Sequence, residues 1–213
     1  YVALIKEVTF GSESGVGSRV YGEVDSESMK PEFDLIDRAD ITRYGTRKTV
    51  VGLKKSGGDL TMAMQGDEFC GRLVAQAFGS NTQTGAGPYA NTLAETADES
   101  NLLSYIICVG RDGNEHRYLG QCLDSLSISA TVNEYVMMTA SFVGAGEKES
   151  ATALVSPSAG QLHANDAYHF AGAMVSFEEK TTGTDQFSEF VKSVEVEISL
   201  NRDYDASHSL HST

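Results

Sequence analysis

The chain has 213 residues, a formal net charge of −14 and a pI near 4.7, a balance that argues against gripping phosphates, which takes clustered Lys and Arg. Hydrophobic content of 40 %, aromatic content of 8 % without Trp, and charged content of 22 % place it among globular proteins long enough to bury a core; no apolar run approaches the roughly 18 to 20 residues of a membrane-spanning helix. Cys70, Cys108 and Cys122 stand far apart with no CxxC pairing, so they read as small buried hydrophobes of a chain made in a reducing cytoplasm, not as a disulfide framework.

Residues 1–10 alternate weakly and carry Lys6 and Glu7, which predicts a strand over 2–10 and not the apolar stretch of a leader. Residues 11–47 are polar and unpatterned, so 1–48 read as an N-terminal strand followed by an irregular arm. Strands are predicted over 49–54 and 59–64, with Lys55-Ser56-Gly57-Gly58 as the hairpin turn between them. One helix is predicted over 67–78. Asp67 is its N-cap, Phe69, Leu73, Val74, Ala77 and Phe78 form its apolar face, Gly79 stops it, and Gly71 weakens it or admits a neighbouring strand. Residues 80–101 read as a long loop. Beyond it, a strand over 102–109 turns at Arg111-Asp112-Gly113-Asn114 into a long strand over 117–131. A further strand spans 135–143, residues 144–169 are unpatterned, and strands over 170–177 and 191–200 close the chain. The sum is one mainly β domain over 1–213: an antiparallel β-sandwich or open barrel with one flanking helix and long loops.

The central hairpin carries the clearest pattern. Tyr118, Gly120, Cys122, Leu126, Ile128 and Ala130 fall on one phase of a two-residue period, with Gln121, Ser125, Ser127 and Ser129 on the other. On the returning strand Val136, Met138, Ala140 and Phe142 alternate with Thr139 and Ser141. The last strand sets Val194, Val196, Ile198 and Leu200 against Ser193, Glu195, Glu197 and Ser199.

A strand ending in Ser-Leu-Ser-Ile-Ser, a short acidic turn and a strand ending in Ser-Phe-Val-Gly-Ala-Gly-Glu, followed by a closing strand and Asn-Arg-Asp-Tyr, resembles the tail tube proteins of long-tailed bacterial and archaeal viruses. The resemblance runs from Val50 onward; residues 13–47 match nothing in it. It implies a structural virion protein of the tail, made in the host cytoplasm, that forms hexameric rings. Inner strands of all subunits would close into one barrel around a lumen, and loops or arms would bridge successive rings. The partners implied are further copies of the chain, tape-measure and tail terminator proteins, and baseplate or distal tail proteins. Double-stranded DNA would pass without specific binding, and neither cofactor, metal nor membrane is implied.

Residue chemistry outside the resemblance is thin. His208 and His211 form an HxxH pair in a Ser-rich tail with no third ligand, and His116, His163 and His169 share no ligand spacing with Cys or carboxylates. Gly11-Ser12-Glu13-Ser14-Gly15 spells a nucleophile elbow without the helix that must follow it, and Gly85-Ala86-Gly87 lacks the flanking strand and helix of a phosphate loop. Glu195 and Glu197 stand about 7 Å apart on one strand face, a spacing that would suit a β-fold glycosidase, although alternating Glu on a solvent face is more ordinary. A carbohydrate-binding or adhesin-like β module is a second alternative, with Tyr89, Tyr168 and Tyr204 as its loop aromatics. No catalytic constellation is expected. If the chain lines a DNA conduit, the wall should carry Ser, Thr, Asp and Glu in place of cations. The candidates are Gln121, Ser125, Ser127, Ser129, Thr139, Ser141, Glu195 and Glu197.

Overall fold

The computed structural model describes residues 1–13, 17–38, 48–85, 90–95, 103–150, 157, 165–170, 174–178, 185–190 and 192–200. In chain order the elements are β1 (Val2–Lys6), β2 (Arg19–Gly22), β3 (Ser26–Glu27), β4 (Lys30–Arg38), β5 (Lys48–Ala63), α1 (Glu68–Phe78), β6 (Gly79–Thr84), β7 (Ala90–Glu95), β8 (Tyr105–Arg111), β9 (Asn114–Thr131), β10 (Met137–Gly144), β11 (Gly146–Ser150), β12 (Met174–Glu178), β13 (Asp185–Phe190) and β14 (Ser193–Ser199). All pairings among them are antiparallel, in the mainly β architecture the alternation predicts.

β9 organises the fold. Its first half pairs with β8 and β11, and β8 passes the sheet on to β1 and β2. Its second half pairs with β10 and β14, and β10 passes the sheet on to β5, β3 and β4. The two halves face one core, in which Leu4, Tyr118 and Leu123 meet Leu60, Met62, Leu126 and Met138. Phe69, Leu73 and Ala77 of α1 enter the same core, as the helical periodicity requires. Each fully buried side chain of this size contributes roughly 1.5 to 3 kcal/mol. β1 and β8 are buried on both faces, because Ala3, Ile5, Tyr21, Ile106 and Cys108 form a second cluster behind them.

For strands of opposite parity to share that core, β9 must change phase twice. Its register against β8 shifts between Tyr105 and Ile107, beside Gly120 at φ +63°, and its register against β10 skips Asp124. Each shift turns the strand over by one residue, so Tyr118, then Leu123, then Leu126 all point inward. Strict alternation through residues 118–130 is therefore corrected, and Gln121 is the residue most affected.

The turn at Asp112 and Gly113 is as predicted, with φ of +46° and +93°. The turn at residues 55–58 is not. β5 runs unbroken through it, and the glycines serve close approach: a Cβ on Gly58, at φ +148°, would lie 2.6 Å from the Ser28 carbonyl oxygen, and one on Gly57 2.6 Å from that of Phe142. The expected helix is present. Asp67 Oδ1 accepts from Cys70 N at 2.8 Å, and the Gly79 N–H returns to Ala75 O. A Cβ on Gly71 would meet open space, so that glycine admits no strand.

The segments read as unpatterned hold further strands. The polar arm contains β2, β3 and β4, the long loop contains the β6–β7 hairpin, and residues 146–150 form β11. These strands are short or exposed, so they carry little apolar alternation. Near the end of the chain β12 pairs with β13, an element without a counterpart among the predicted strands. Ser14, Gly15, Ala86, Gly87, Tyr89, His163, Tyr204, His208 and His211 lie outside the described residues. Among the described residues no helix is long and apolar enough to cross a membrane.

Candidate functional site

The second half of the sheet has one buried and one open face. Its alternation sends Leu60, Ala140, Leu126 and Ile198 to the core, and the intervening residues to the other side. The registers align those residues in rows across four strands: Asp59, Ser141, Ser125 and Ser199 in one, and Thr61, Thr139, Ser127 and Glu197 in the next. A third row runs Ala63, Met137, Ser129 and Glu195, and Ser26 of β3 extends the second row outward.

Hydrogen bonds tie these rows together. Ser141 Oγ donates to Asp59 Oδ1 at 2.6 Å, Ser127 Oγ to Glu195 Oε1 at 3.2 Å and Ser199 Oγ to Glu197 Oε1 at 3.2 Å. Thr61 and Thr139 hydroxyls approach to 3.4 Å. Asp59, Glu195 and Glu197 supply negative charge, while residues 56–64, 121–131, 135–144 and 193–200 contain neither Lys nor Arg. Among the described residues the face is thus a sheet of hydroxyls and carboxylates whose strands bring no cation to hold a phosphate.

Seven of the eight residues expected on a polar face stand together here: Ser125, Ser127, Ser129, Thr139, Ser141, Glu195 and Glu197. Gln121 does not. The phase change at Gly120 buries it completely, with its Nε2 donating to Ser56 Oγ at 2.6 Å and Leu119 O at 3.0 Å. Asp59 and Thr61 belong to the face although they were not among the candidates. Their two-residue spacing in Asp59-Leu60-Thr61-Met62 was the available signal. Glu195 and Glu197 are both exposed on the open sheet, as the ordinary reading of alternating Glu has it.

Among the described residues β14 pairs with β9 alone, and its Val196 is 53 % exposed although it falls on the core-facing phase. An edge with free backbone donors and acceptors and an uncovered apolar residue invites another strand.

Away from this face, several charged side chains of the first half of the sheet are paired and structural. The buried Glu115 carboxylate accepts from Arg19 Nη1 at 2.5 Å, Tyr1 Oη at 2.5 Å and Arg117 Nε at 2.7 Å. Burial works to raise its pKa, and the hydrogen bonds from Arg19, Tyr1 and Arg117 overcome this, holding it at about 2. Arg117 and Lys148 also hold Glu13, whose carboxyl is lowered by those two partners. In Glu7, burial raises the carboxyl above its ordinary value despite bonds from Ser104 Oγ, Gly120 N and Gly11 N. Burial likewise pushes the Cys70 and Cys108 thiols up to about 12, as inert core residues. Among the described residues no group of three or more His, Cys, Asp or Glu is placed to hold a metal ion.

The sequence profile of a family described as phage tail tube protein matches residues 1–210. No curated protein matches the chain.

Proposed function

This chain belongs to the phage tail tube protein family, a structural component of the virion tail, and from that premise we propose that it assembles through its open sheet edges into closed rings that stack into a DNA conduit. In this reading the polar face of β5, β10, β9 and β14 lines the lumen, and the family resemblance makes each ring a hexamer. The whole chain serves as one tube domain, and tape-measure, terminator and baseplate or distal tail proteins meet the tube at its bore and ends.

The observation that carries the reading is the cation-free face. Asp59, Glu195 and Glu197 repeat in every subunit, so ring symmetry turns them into girdles of like charge. Such a girdle repels phosphates over a Debye length of about 8 Å at physiological salt. Hydroxyls between the carboxylates keep the wall wetted without binding DNA tightly.

Glu195→Lys combined with Glu197→Lys tests it. Both side chains are exposed, so the variant is expected to fold and assemble as the parent does. Assembled variant tubes should retain linear double-stranded DNA in a salt-sensitive manner, and parent tubes should not. A reconstruction of the assembled protein whose lumen is formed by another face would overturn the reading.

A further inference from the structure

Just beyond the end of β5 lies a cleft of about 780 Å³, within the size range of small-molecule sites. Its frame is backbone. Tyr168 N donates to Met64 O at 2.9 Å and Val136 N to Tyr168 O at 2.8 Å, while Asn133 N donates to Phe170 O and Phe170 N to Glu134 O, both at 2.9 Å. Residues 165–170 are thus laced between the end of β5 and the β9–β10 turn, and these backbone donors are spent inside the frame.

What the cleft presents is mostly acceptors. Glu23, Glu134 and Asp166 line it and are exposed, and no Lys or Arg lines it. Asn165 spends its side-chain amide on Gly66 O at 2.7 Å. Gln65, 8 % exposed, also belongs to the lining. Its Nε2 donates to Glu23 Oε2 at 2.7 Å, which fixes the orientation of the amide and leaves the buried Oε1 with no hydrogen-bond partner among the described residues. A buried acceptor without a donor is a cost that an incoming donor removes. Tyr135, 59 % exposed, and the buried Phe170 give the cleft an apolar wall.

An acidic, acceptor-rich cleft with an apolar wall suits a cation that carries apolar surface of its own. A hard metal ion needs several ligands converging on one point, and among the described residues no three His, Cys, Asp or Glu do so. A guanidinium spreads five N–H donors over a plane whose face stacks on aromatic rings, so it can meet acceptors set apart around a cleft. We propose that the cleft is a binding site for an alkylguanidinium, with Glu134 and Asp166 accepting from its fork, Gln65 Oε1 accepting an inward N–H, and Tyr135 packing against its plane and stem. That chemistry belongs equally to a free guanidino compound and to an Arg side chain of another protein. None of these residues is on the polar face assigned to the lumen, so the site stands apart from the conduit reading.

Isothermal titration calorimetry of the full-length chain with n-butylguanidine tests the site. Saturable binding of one ligand per chain is expected, and n-butylurea, similar in shape but uncharged, should give none. Glu134→Gln combined with Asp166→Asn should weaken n-butylguanidine by about tenfold or more. The melting temperature of that variant without ligand should stay at the parent's, because both side chains are exposed. A Gly-Gly-Arg-Gly-Gly peptide that binds about tenfold tighter than n-butylguanidine would assign the site to an Arg of another protein, and one that binds no tighter would assign it to a free compound; both results uphold the site. Absence of saturable heat, equal affinity for the urea, undiminished binding by the double variant, or displacement of n-butylguanidine by calcium at matched ionic strength would overturn the proposal. Each of those results would leave the tube reading standing.

Discussion

Gln121 Nε2 donates a 2.6 Å hydrogen bond to Ser56 Oγ, joining the middle of β9 to β5 where the two halves of the sheet meet. Both side chains are buried, and the Gln121 carbonyl also accepts from Gln76 Nε2 of the helix at 3.0 Å. Helix, bulge and long strand are thus tied through one buried polar residue, by its side chain to Ser56 and by its carbonyl to Gln76. In a low-dielectric interior such a contact costs more to break than it contributes when made.

Gln121→Ala should therefore destabilise the subunit by about 2 to 4 kcal/mol, through the cavity it leaves and the Ser56 hydroxyl it orphans. Urea unfolding should show a lower midpoint with an unchanged slope. A midpoint within error of the parent's would mean that the junction tolerates loss of the amide.

Acid should weaken the fold through Glu115. Its folded pKa, about 2, lies below the ordinary 4.5, so its contribution is fully present above pH 4.5 and is lost as pH falls from there toward 2. At about 1.4 kcal/mol per pKa unit the contribution is about 3 kcal/mol. Glu115→Gln should lower stability at neutral pH and flatten the slope between pH 4.5 and 2. Glu7, raised by burial, acts in the other sense, its contribution fading as pH rises through its folded value. Unfolding free energies at a series of pH values separate the two.

Two glycines should respond oppositely to alanine. Gly120 sits at φ +63°, and a Cβ there would come within 2.9 Å of the Phe10 ring and 3.0 Å of Ala145, so Gly120→Ala should cost about 1 to 3 kcal/mol. Gly71 is exposed on the helix with nothing near its missing Cβ, so Gly71→Ala should stabilise by about 0.5 to 1 kcal/mol. Thermal melts of the two variants check both signs.

The β6–β7 hairpin offers a test of contacts between copies. Ser80 pairs with Ala94 and donates to its carbonyl at 2.8 Å, and Asn81, Thr82, Asn91 and Thr92 beyond that pair are all exposed. Removing residues 82–92 and closing the strands with a short turn should leave the melting temperature nearly unchanged while impairing polymerisation. A shortened chain that polymerises at the parent's rate would assign the hairpin no role between subunits.

The sequence by itself determined the elements whose burial is one-sided and regular. The Asp67 cap, the apolar stripe of α1, the Asp112-Gly113 turn and the alternation of Ser125–Ser129, Thr139–Ser141 and Glu195–Glu197 each follow from the period of a single element, and together they delivered most of the polar face. The tertiary structure alone decided what depends on a neighbour. Whether Gly57 and Gly58 turn the chain or make room for Ser28 and Phe142 is settled by strands distant in sequence, and nothing in Lys-Ser-Gly-Gly distinguishes the two. The β2, β3 and β4 strands lack a periodic apolar signal because they are short or exposed, so pairing and not burial defines them. Gln121 went inward because two irregularities in β9 reset its phase, and a bulge is fixed by the registers of two partner strands at once, which no single strand's pattern records.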